Sequence, residues 1–431
     1  MGGMSSGWNA APFRSPEAPL RFAVIQLGAR MHYAVPALLK RAGRLAHFYT
    51  DVVGNLGFSE ILGGLLPPRL RSPSVRRLLS RRAPEELPRD VVTTVEDVAF
   101  FDAILKRLPH GAVWRDRAPE QLRRRMLLDD FHNANALYCL DPGDIELIRA
   151  AKRRGMRVVY EQNIAPQVGR ILRDERARYP GFERQDPEKV VEDGLEVDRE
   201  IWRLADLVVV PSEFVRSGLL ELGARSDNIA LVPYGLADSW YAPVETRPTE
   251  GRVLFVGGVG LRKGNHYLAE ACRILTSRGV NAQFRVVGPF DPNETMAAPF
   301  LGPTYVGTVP RDDVRAEFLQ ADVFAFPTLA EGFALAHLEA IACGLPVVTT
   351  PNCGPAVRDG QDGFVIPPRD PVALADRLQL IISDRGLRER MSESARLRAA
   401  EFSWRAYQDR LIGALATLEG RGPGRSTSLA A

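Results

Sequence analysis

Two glutamates eight positions apart, Glu331 and Glu339, stand in the most informative stretch of the chain, FAFPTLAEGFALAHLEAIACGLPVVTT from Phe324 to Thr350. An apolar run ends at Pro327, and a short loop then carries Glu331 and Gly332. A helix is expected from near Ala334 to Gly344, since glycine is a common helix terminator, and a second apolar run follows at Leu345–Thr349. The loop therefore joins the carboxyl end of a strand to the N-terminus of a helix, where α/β sheets bind ligands. The N–H groups of Phe333, Ala334, Leu335 and Ala336, together with the helix dipole, favour a phosphate there. Gly332 has no side chain to block close approach. Glu339 lies five residues into the helix, ~7.5 Å along its axis at 1.5 Å per residue. An ionised carboxylate is acceptor-only and has two oxygens, which suits paired hydroxyls. One glutamate could grip sugar hydroxyls near a phosphate, and the other the hydroxyls of a ribose. Read singly, Glu331 is more simply a solvated loop residue and Glu339 part of a polar helix face, since glutamate is mostly exposed. The flanking strands and glycines turn the pair into a candidate site.

A second element has the same logic. The apolar run Val253–Val256 leads into Gly257-Gly258-Val259-Gly260-Leu261-Arg262-Lys263-Gly264 and then a helical pattern. Arg262 and Lys263 would bring positive charge to a diphosphate at a strand's carboxyl end. The spacing of Gly258, Gly260 and Gly264 imitates a dinucleotide fingerprint with one residue too many, and the lysine precedes the last glycine, which excludes a phosphate-binding P-loop. A tight turn with surface basic residues fits the same letters. The third element is Gln26-Leu27-Gly28-Ala29-Arg30-Met31-His32-Tyr33 after the first apolar run. Gly28 would allow a ligand to approach closely, or would serve a structural turn. Asp51 sits where a nicotinamide-binding pattern wants an acid, but the G-x-G-x-x-G that should accompany it is missing.

These segments need a scaffold, and the rest of the chain supplies one. Short apolar runs without polar alternation recur at Phe22–Leu27, Leu137–Leu140, Val158–Tyr160, Leu207–Val210, Val253–Val256, Phe284–Val287, Val323–Phe326, Pro346–Thr349 and Phe364–Ile366. Such runs read as parallel strands covered on both faces. Helical patterns lie between them, at Pro142–Arg154, His266–Arg278, Val314–Gln320 and Pro371–Ile382, the last with Asp370 as cap and Pro371 at its first position. The expected fold class is α/β, with doubly wound parallel sheets. Expected boundaries are a loose segment at 1–20, a first domain at 21–235, a linker at 236–250, a second domain at 251–400, a helix at 401–418 that crosses back, and a flexible tail at 419–431. The linker stretch is rich in proline and has little periodicity.

Composition narrows the class. The chain has 431 residues, of which 45% are hydrophobic and 25% charged, which is ordinary for a globular protein and rules out disorder throughout. A formal net charge of +3 gives no ground for nucleic acid as a partner. The four cysteines, Cys139, Cys272, Cys343 and Cys353, form no C-x-x-C pair, so neither a zinc site nor a disulfide framework is indicated. No signal peptide and no spanning run of ~18 apolar residues is visible, so a cytoplasmic protein is expected. Residues 69–125 carry 14 Lys or Arg against 8 Asp or Glu, just after the apolar run Ile61–Leu66. That pairing suits either a solvated basic face or a peripheral contact with an anionic membrane.

The segment Glu331–Ala340 (EGFALAHLEA), followed by Ala342-Cys343-Gly344-Leu345-Pro346-Val347-Val348, resembles the E-x7-E motif and trailing A-x-G-x-P-V-V of the retaining glycosyltransferases of family 4. Phe255-Val256-Gly257 with Lys263-Gly264, Val210-Pro211-Ser212-Glu213-Phe214, Val232-Pro233-Tyr234-Gly235, Gly307-Thr308-Val309 and Phe402-Ser403-Trp404 extend the resemblance from about 21 to 418. It implies the GT-B fold, two Rossmann-like domains facing across a cleft. It further implies a nucleotide-diphospho-sugar donor, an unidentified hydroxyl-bearing acceptor, no metal and no cofactor. By that resemblance Glu331 holds sugar hydroxyls and Glu339 the ribose, while Lys263 neutralises the diphosphate. Backbone N–H groups near Phe333–Leu335 meet phosphate or sugar oxygens, the base lies near Tyr305–Pro310, with Gly307 and Val309, and Gly28 lets the first domain approach. The sugar would be transferred with retention of anomeric configuration, and stabilising the departing diphosphate would be the largest electrostatic contribution.

Three positions depart from the family pattern. The usual Arg five residues before the lysine is Gly258 here, with Arg262 as a substitute. Ala334 stands where Gly or Pro is usual. Glu161-Gln162-Asn163 occupies the place of a histidine near the donor sugar. Asn163 could hydrogen-bond a sugar hydroxyl, and Glu161 could be a base, an acceptor contact or a capping residue. His32 and His132 are further polar candidates. Two other functions remain compatible with these letters: a nucleotide-sugar epimerase on the same fold, and a non-catalytic nucleotide-sugar-binding subunit.

Overall fold

The computed structural model describes residues 19–65, 67, 69, 71, 73–98, 117–140, 143–242, 248–292 and 298–419. Residues 1–18 and 420–431 of the expected loose segments, 99–116 of the basic stretch and 243–247 of the expected linker lie outside the described residues.

Two parallel sheets organise the chain. The first contains β1 (Phe22–Ile25), β2 (Leu45–Thr50), β3 (Val92–Thr94), β4 (Ala136–Leu140), β5 (Arg157–Glu161), β6 (Leu207–Val210) and β7 (Ile229–Leu231), in the order β3-β2-β1-β4-β5-β6-β7. The second contains β8 (Arg252–Val256), β9 (Gln283–Val287), β10 (Thr304–Gly307), β11 (Val323–Phe326), β12 (Val347–Thr349) and β13 (Gly363–Val365), in the order β10-β9-β8-β11-β12-β13. Both are Rossmann-like. Their central strands are uninterrupted apolar runs because helices cover both faces, and β1, β4, β6 and β11 are buried throughout. The strands that the apolar-run reading does not contain include β3, β7 and β10, which sit at or next to sheet edges and are partly exposed. Half-solvated strands keep polar residues and lose the signal.

By density of contacts the chain falls into two units. Among the described residues, one comprises those within 19–138, 151–157 and 415–419, the other those within 139–150 and 158–414. In the first, Gly28 follows β1, with a φ of +73°, and donates its N–H to Asp51 Oδ1 at 2.9 Å. Asp51 also pairs with Arg81 at 2.6 Å. The acid 23 residues after the glycine is thus a structural cap for its turn, which accounts for it without any nicotinamide pattern. His132 stacks on His47 with 3.7 Å between ring centroids and sits in a run of left-handed residues, Asp130 to Asn133.

In the second unit, Phe255 of β8 and Phe326 of β11 stack at 5.3 Å across neighbouring strands. The helix Leu335–Ala342 begins one residue later than expected, with Ala334 as its cap, and ends just before Gly344 at a φ of +72°. The helix Pro371–Ser383 is capped as expected, with Asp370 Oδ1 accepting the Ala373 N–H at 2.8 Å. Among the described residues no helix is long and apolar enough to cross a membrane.

Candidate functional site

In the second sheet the chain runs from β8 out to β9 and β10, then returns to place β11 on the other side of β8. Strand order reverses between β8 and β11, and such a switch point opens a crevice at the strands' carboxyl ends. The two segments that stand out in the sequence, Gly257–Gly264 after β8 and Pro327–Ala334 after β11, are the loops at that point.

Their side chains meet. Lys263 Nζ and Arg262 Nη1 both contact the same oxygen, Oε1, of Glu331. Arg262 also donates to the Ala330 carbonyl at 2.8 Å. The ammonium lies 4.9 Å from the centre of the Phe326 ring, a cation–π position in a desolvated place. Burial lowers the lysine pKa below its ordinary value and Arg262 adds to that, while Glu331 pulls the other way. Two cations on one carboxylate oxygen leave a surplus of positive charge in a half-buried corner, a setting suited to an anionic ligand.

The loop backbone is held tightly. The Arg262 carbonyl accepts from the Leu329 N–H at 2.8 Å and from Thr328 Oγ1 at 3.0 Å, so the two loops are knitted together directly before Glu331. Gly264, at a φ of +71°, brings its backbone so close to Pro327 that a Cβ would lie 1.9 Å from the Pro327 carbonyl oxygen. Gly332 is closer still to another chain segment, since a Cβ there would lie 1.5 Å from the carbonyl oxygen of Asn163. Only glycine fits. The Gly332 carbonyl accepts from Ser212 Oγ at 2.6 Å. Asn163 Oδ1 accepts from the Tyr234 hydroxyl at 2.8 Å, and the Tyr234 ring stands 5.6 Å from that of Phe333. Asn163, Gly332 and Phe333 are therefore neighbours.

The remaining sequence candidates fall as follows. Glu339 sits on the helix Leu335–Ala342 with Arg311 Nη2 4.0 Å away, and burial raises its carboxyl pKa against the opposing pull of that arginine. The Ala334 N–H is already donated to the Cys353 carbonyl at 3.2 Å, which corrects the expectation that the amide of Ala334 awaits a phosphate. Glu161 is fully buried at the end of β5; burial raises the pKa of the Tyr407 phenol, and Glu161 adds to that. Gly307, at a φ of +85°, accepts the Gly288 N–H at 2.9 Å, and Val309 lies between β10 and the helix Arg311–Leu319. Gly258 is spacious, for a Cβ there would come no nearer than 3.8 Å, to Pro289. Gly28 belongs to the first unit. All four cysteines are buried thiols outside any disulfide.

Two residues that pack against this loop were not legible as its neighbours. Ser212 is the side-chain cap of the helix Glu213–Glu221, accepting from the Val215 N–H at 3.3 Å, and nothing in a Pro-Ser-Glu sequence says that its proton goes to Gly332. His337 is fully buried behind the loop, edge-on to Phe326 at 5.0 Å. Thr349 donates its hydroxyl proton to the Phe326 carbonyl at 3.0 Å, so its oxygen accepts from His337 Nε2 at 3.1 Å. That leaves Nδ1 unprotonated and, among the described residues, without a hydrogen-bond partner. Burial, helped by Lys263, lowers the His337 pKa to about 3.

Two Rossmann-like parallel sheets with their helices are the fold of the GT-B glycosyltransferases, and comparisons place the chain near such enzymes. Residues 239–398, which enclose all six strands of the second sheet, match the family model described as glycosyl transferases group 1. The sulfoquinovosyl transferase of Arabidopsis thaliana is 28% identical over 227 residues, covering 48% of this chain and 44% of that protein. The D-inositol 3-phosphate glycosyltransferase of Corynebacterium glutamicum (strain R) is 31% identical over 229 residues, 47% of this chain and 55% of that one. The chain thus spans about half the length of the curated relatives it matches. The solved structure of Anabaena Alr3699/HepE in complex with UDP and glucose superposes with a TM-score of 0.60 at 15% identity, covering 93% of this chain and 100% of the other.

Proposed function

We propose that the protein is a glycosyltransferase that moves a hexose-type sugar from a nucleotide-diphospho-sugar to a hydroxyl-bearing acceptor, with retention of anomeric configuration and without a metal. The observation that carries this reading is the convergence of Lys263 and Arg262 on Glu331 at the β8/β11 switch point. A diphosphate entering there would take the two cations, and Glu331, released from part of its ion pairing, would turn an acceptor-only carboxylate to the sugar hydroxyls. Glu339 would take the ribose, since its raised pKa reflects burial that paired hydroxyl donors would relieve. As the bond from sugar to diphosphate breaks, charge grows on the leaving oxygen, and fixed cations in a desolvated site stabilise it most. Asn163, beside Gly332, would contact the donor sugar. The family match over 239–398 and the relatives' names support transfer over epimerisation or mere binding.

The test is a donor screen on purified protein. Nucleotide-diphospho-sugars are offered with and without candidate acceptors, and release of the nucleoside diphosphate is followed. Release from one donor, lost in Glu331→Ala, is the expected result. Failure of every activated sugar to bind would overturn the reading, and isomerised sugar would point to an epimerase.

The acceptor side has its own observation. The helix Gly57–Leu65 exposes Phe58, Ile61 and Leu65, at 56%, 60% and 77%, and the chain continues to the exposed Arg69 and Arg76. An exposed apolar stripe with arginines following suits peripheral contact with an anionic membrane. Co-sedimentation with anionic vesicles at low salt is expected, and its absence removes this part of the proposal.

A further inference from the structure

The glycine-rich turn that carries Arg262 and Lys263 has anchors on both sides, and both come from one stretch of the chain, the helix Val168–Arg178 and the loop that follows it. That stretch supplies two carboxylates, Glu175 and Glu183. Glu183 Oε1 accepts the Leu261 N–H at 2.7 Å, and its Oε2 accepts from Arg176 Nε at 3.2 Å. Arg176 is held in turn by Asp186 at 2.9 Å. Leu261 opens the short 3-10 turn Leu261–Lys263, whose own cap residue, Gly260, contributes no side chain, and Leu261 is fully buried. A carboxylate from elsewhere in the chain therefore performs the capping that the local sequence lacks. The absent side chain at Gly260 makes room for it, since a Cβ there would lie 3.0 Å from Glu183 Oε1.

On the far side of Lys263, Glu175 is buried and accepts from His266 Nε2 at 2.9 Å, Tyr267 Oη at 2.6 Å and Arg369 Nε at 2.6 Å. His266 and Tyr267 stand in the first turn of the helix that follows the lysine. Those three donors outweigh burial and hold the Glu175 carboxyl at about 2. Lys263 thus sits between two fixed points, a carboxylate on the residue two before it and another on the residues three and four after it.

We infer that Glu183 is a positioning residue for the donor diphosphate: by capping the Leu261 N–H it sets the conformation of the turn that aims Lys263 and Arg262. The inference rests on the proposed donor site for its kinetic consequence, while the capping itself is independent of any ligand. An unsatisfied buried N–H is costly, so without the cap the turn rearranges toward another acceptor and the two cations leave their place.

The experiment compares Glu183→Ala and Glu183→Gln with the wild-type chain, by hydrogen exchange of the peptide spanning 258–263 and by donor kinetics. Glu183→Ala is expected to speed exchange in that peptide about tenfold and to raise the donor KM about tenfold, with kcat within about twofold. Glu183→Gln keeps an acceptor for the N–H and is expected to restore most of both. Unchanged exchange and KM in Glu183→Ala would overturn the inference. An equal loss in the alanine and glutamine variants would do the same, because it would assign the effect to the Arg176 ion pair. If exchange responds while neither Lys263→Ala nor Glu331→Ala alters donor binding, it is the proposed donor site that fails and the capping role that stands.

Discussion

Ser212 donates its hydroxyl proton to the carbonyl of Gly332 at 2.6 Å, and the same oxygen accepts the Val215 N–H that opens its own helix. One buried hydroxyl joins two segments that are far apart in sequence and fixes the residue next to Glu331. Ser212→Ala removes a helix cap and orphans a buried carbonyl, and is expected to cost about 2 kcal/mol. Ser212→Thr, which keeps the hydroxyl, should retain most of the stability. Denaturant unfolding of the three proteins checks this.

Gly332 has no room for a methyl group, whereas Gly258 does. Gly332→Ala must push a Cβ into the Asn163 carbonyl, and a destabilisation of about 3 kcal/mol or more is expected from a backbone that has to move. Gly258→Ala places its methyl at van der Waals distance and should leave the melting temperature within about a degree or two. A similar loss in both variants would overturn the close approach as the cause.

In the proposed donor site Lys263 must be charged to hold a diphosphate. Burial makes it lose its proton at a lower pH than an ordinary lysine, and Glu331 opposes that loss. Donor affinity should therefore fall on the alkaline side at a pH below the usual lysine range. Glu331→Gln, which removes the opposing charge, should move that limb to still lower pH. Calorimetric titration of the nucleoside diphosphate across pH measures it. Removing the charge outright in Lys263→Ala is expected to lower kcat/KM by about two to three orders of magnitude, the scale of one lost group that stabilises transition-state charge.

His337 is neutral in the folded protein, with its pKa lowered to about 3. An unfolded chain takes up a proton there as pH falls below about 6.5, so acid favours unfolding from that point down to the folded value. His337→Leu removes this proton uptake. Near neutrality it loses the Thr349 hydrogen bond and should change stability by no more than about 1 kcal/mol. At about pH 5 it should gain about 2 kcal/mol relative to the parent. Parallel acid sensitivity of the two proteins would sink this reading.

How much of this was legible in the sequence depends on where each residue sits. The central strands announce themselves because burial on both faces forbids polar letters, as in Leu207–Val210 and Val323–Phe326. Edge strands such as Thr304–Gly307 do not, because solvent on one side permits any residue with extended preference. That Glu331, Lys263 and Gly332 stand in loops at strand ends could be read from spacing, since such loops and the glycines before helices have a fixed geometry. Ser212, His337 and Glu183 could not. Their roles are set by contacts with Gly332, Thr349 and Leu261, more than 75 residues away for the first and last, and within one unit for all three. Fold topology alone brings such partners together. Ala334 shows the reverse error. Its amide looked available from its place before a helix, but the Cys353 carbonyl had taken it.

The meeting of Gly264 with the Pro327 carbonyl has a bearing on engineering. Because main chain touches main chain there, neither loop can be lengthened, stiffened or decorated at that point without unseating the other. A library built on these loops should therefore freeze positions 264 and 332 and randomise at Gly258, where the backbone leaves vacant space for a new side chain.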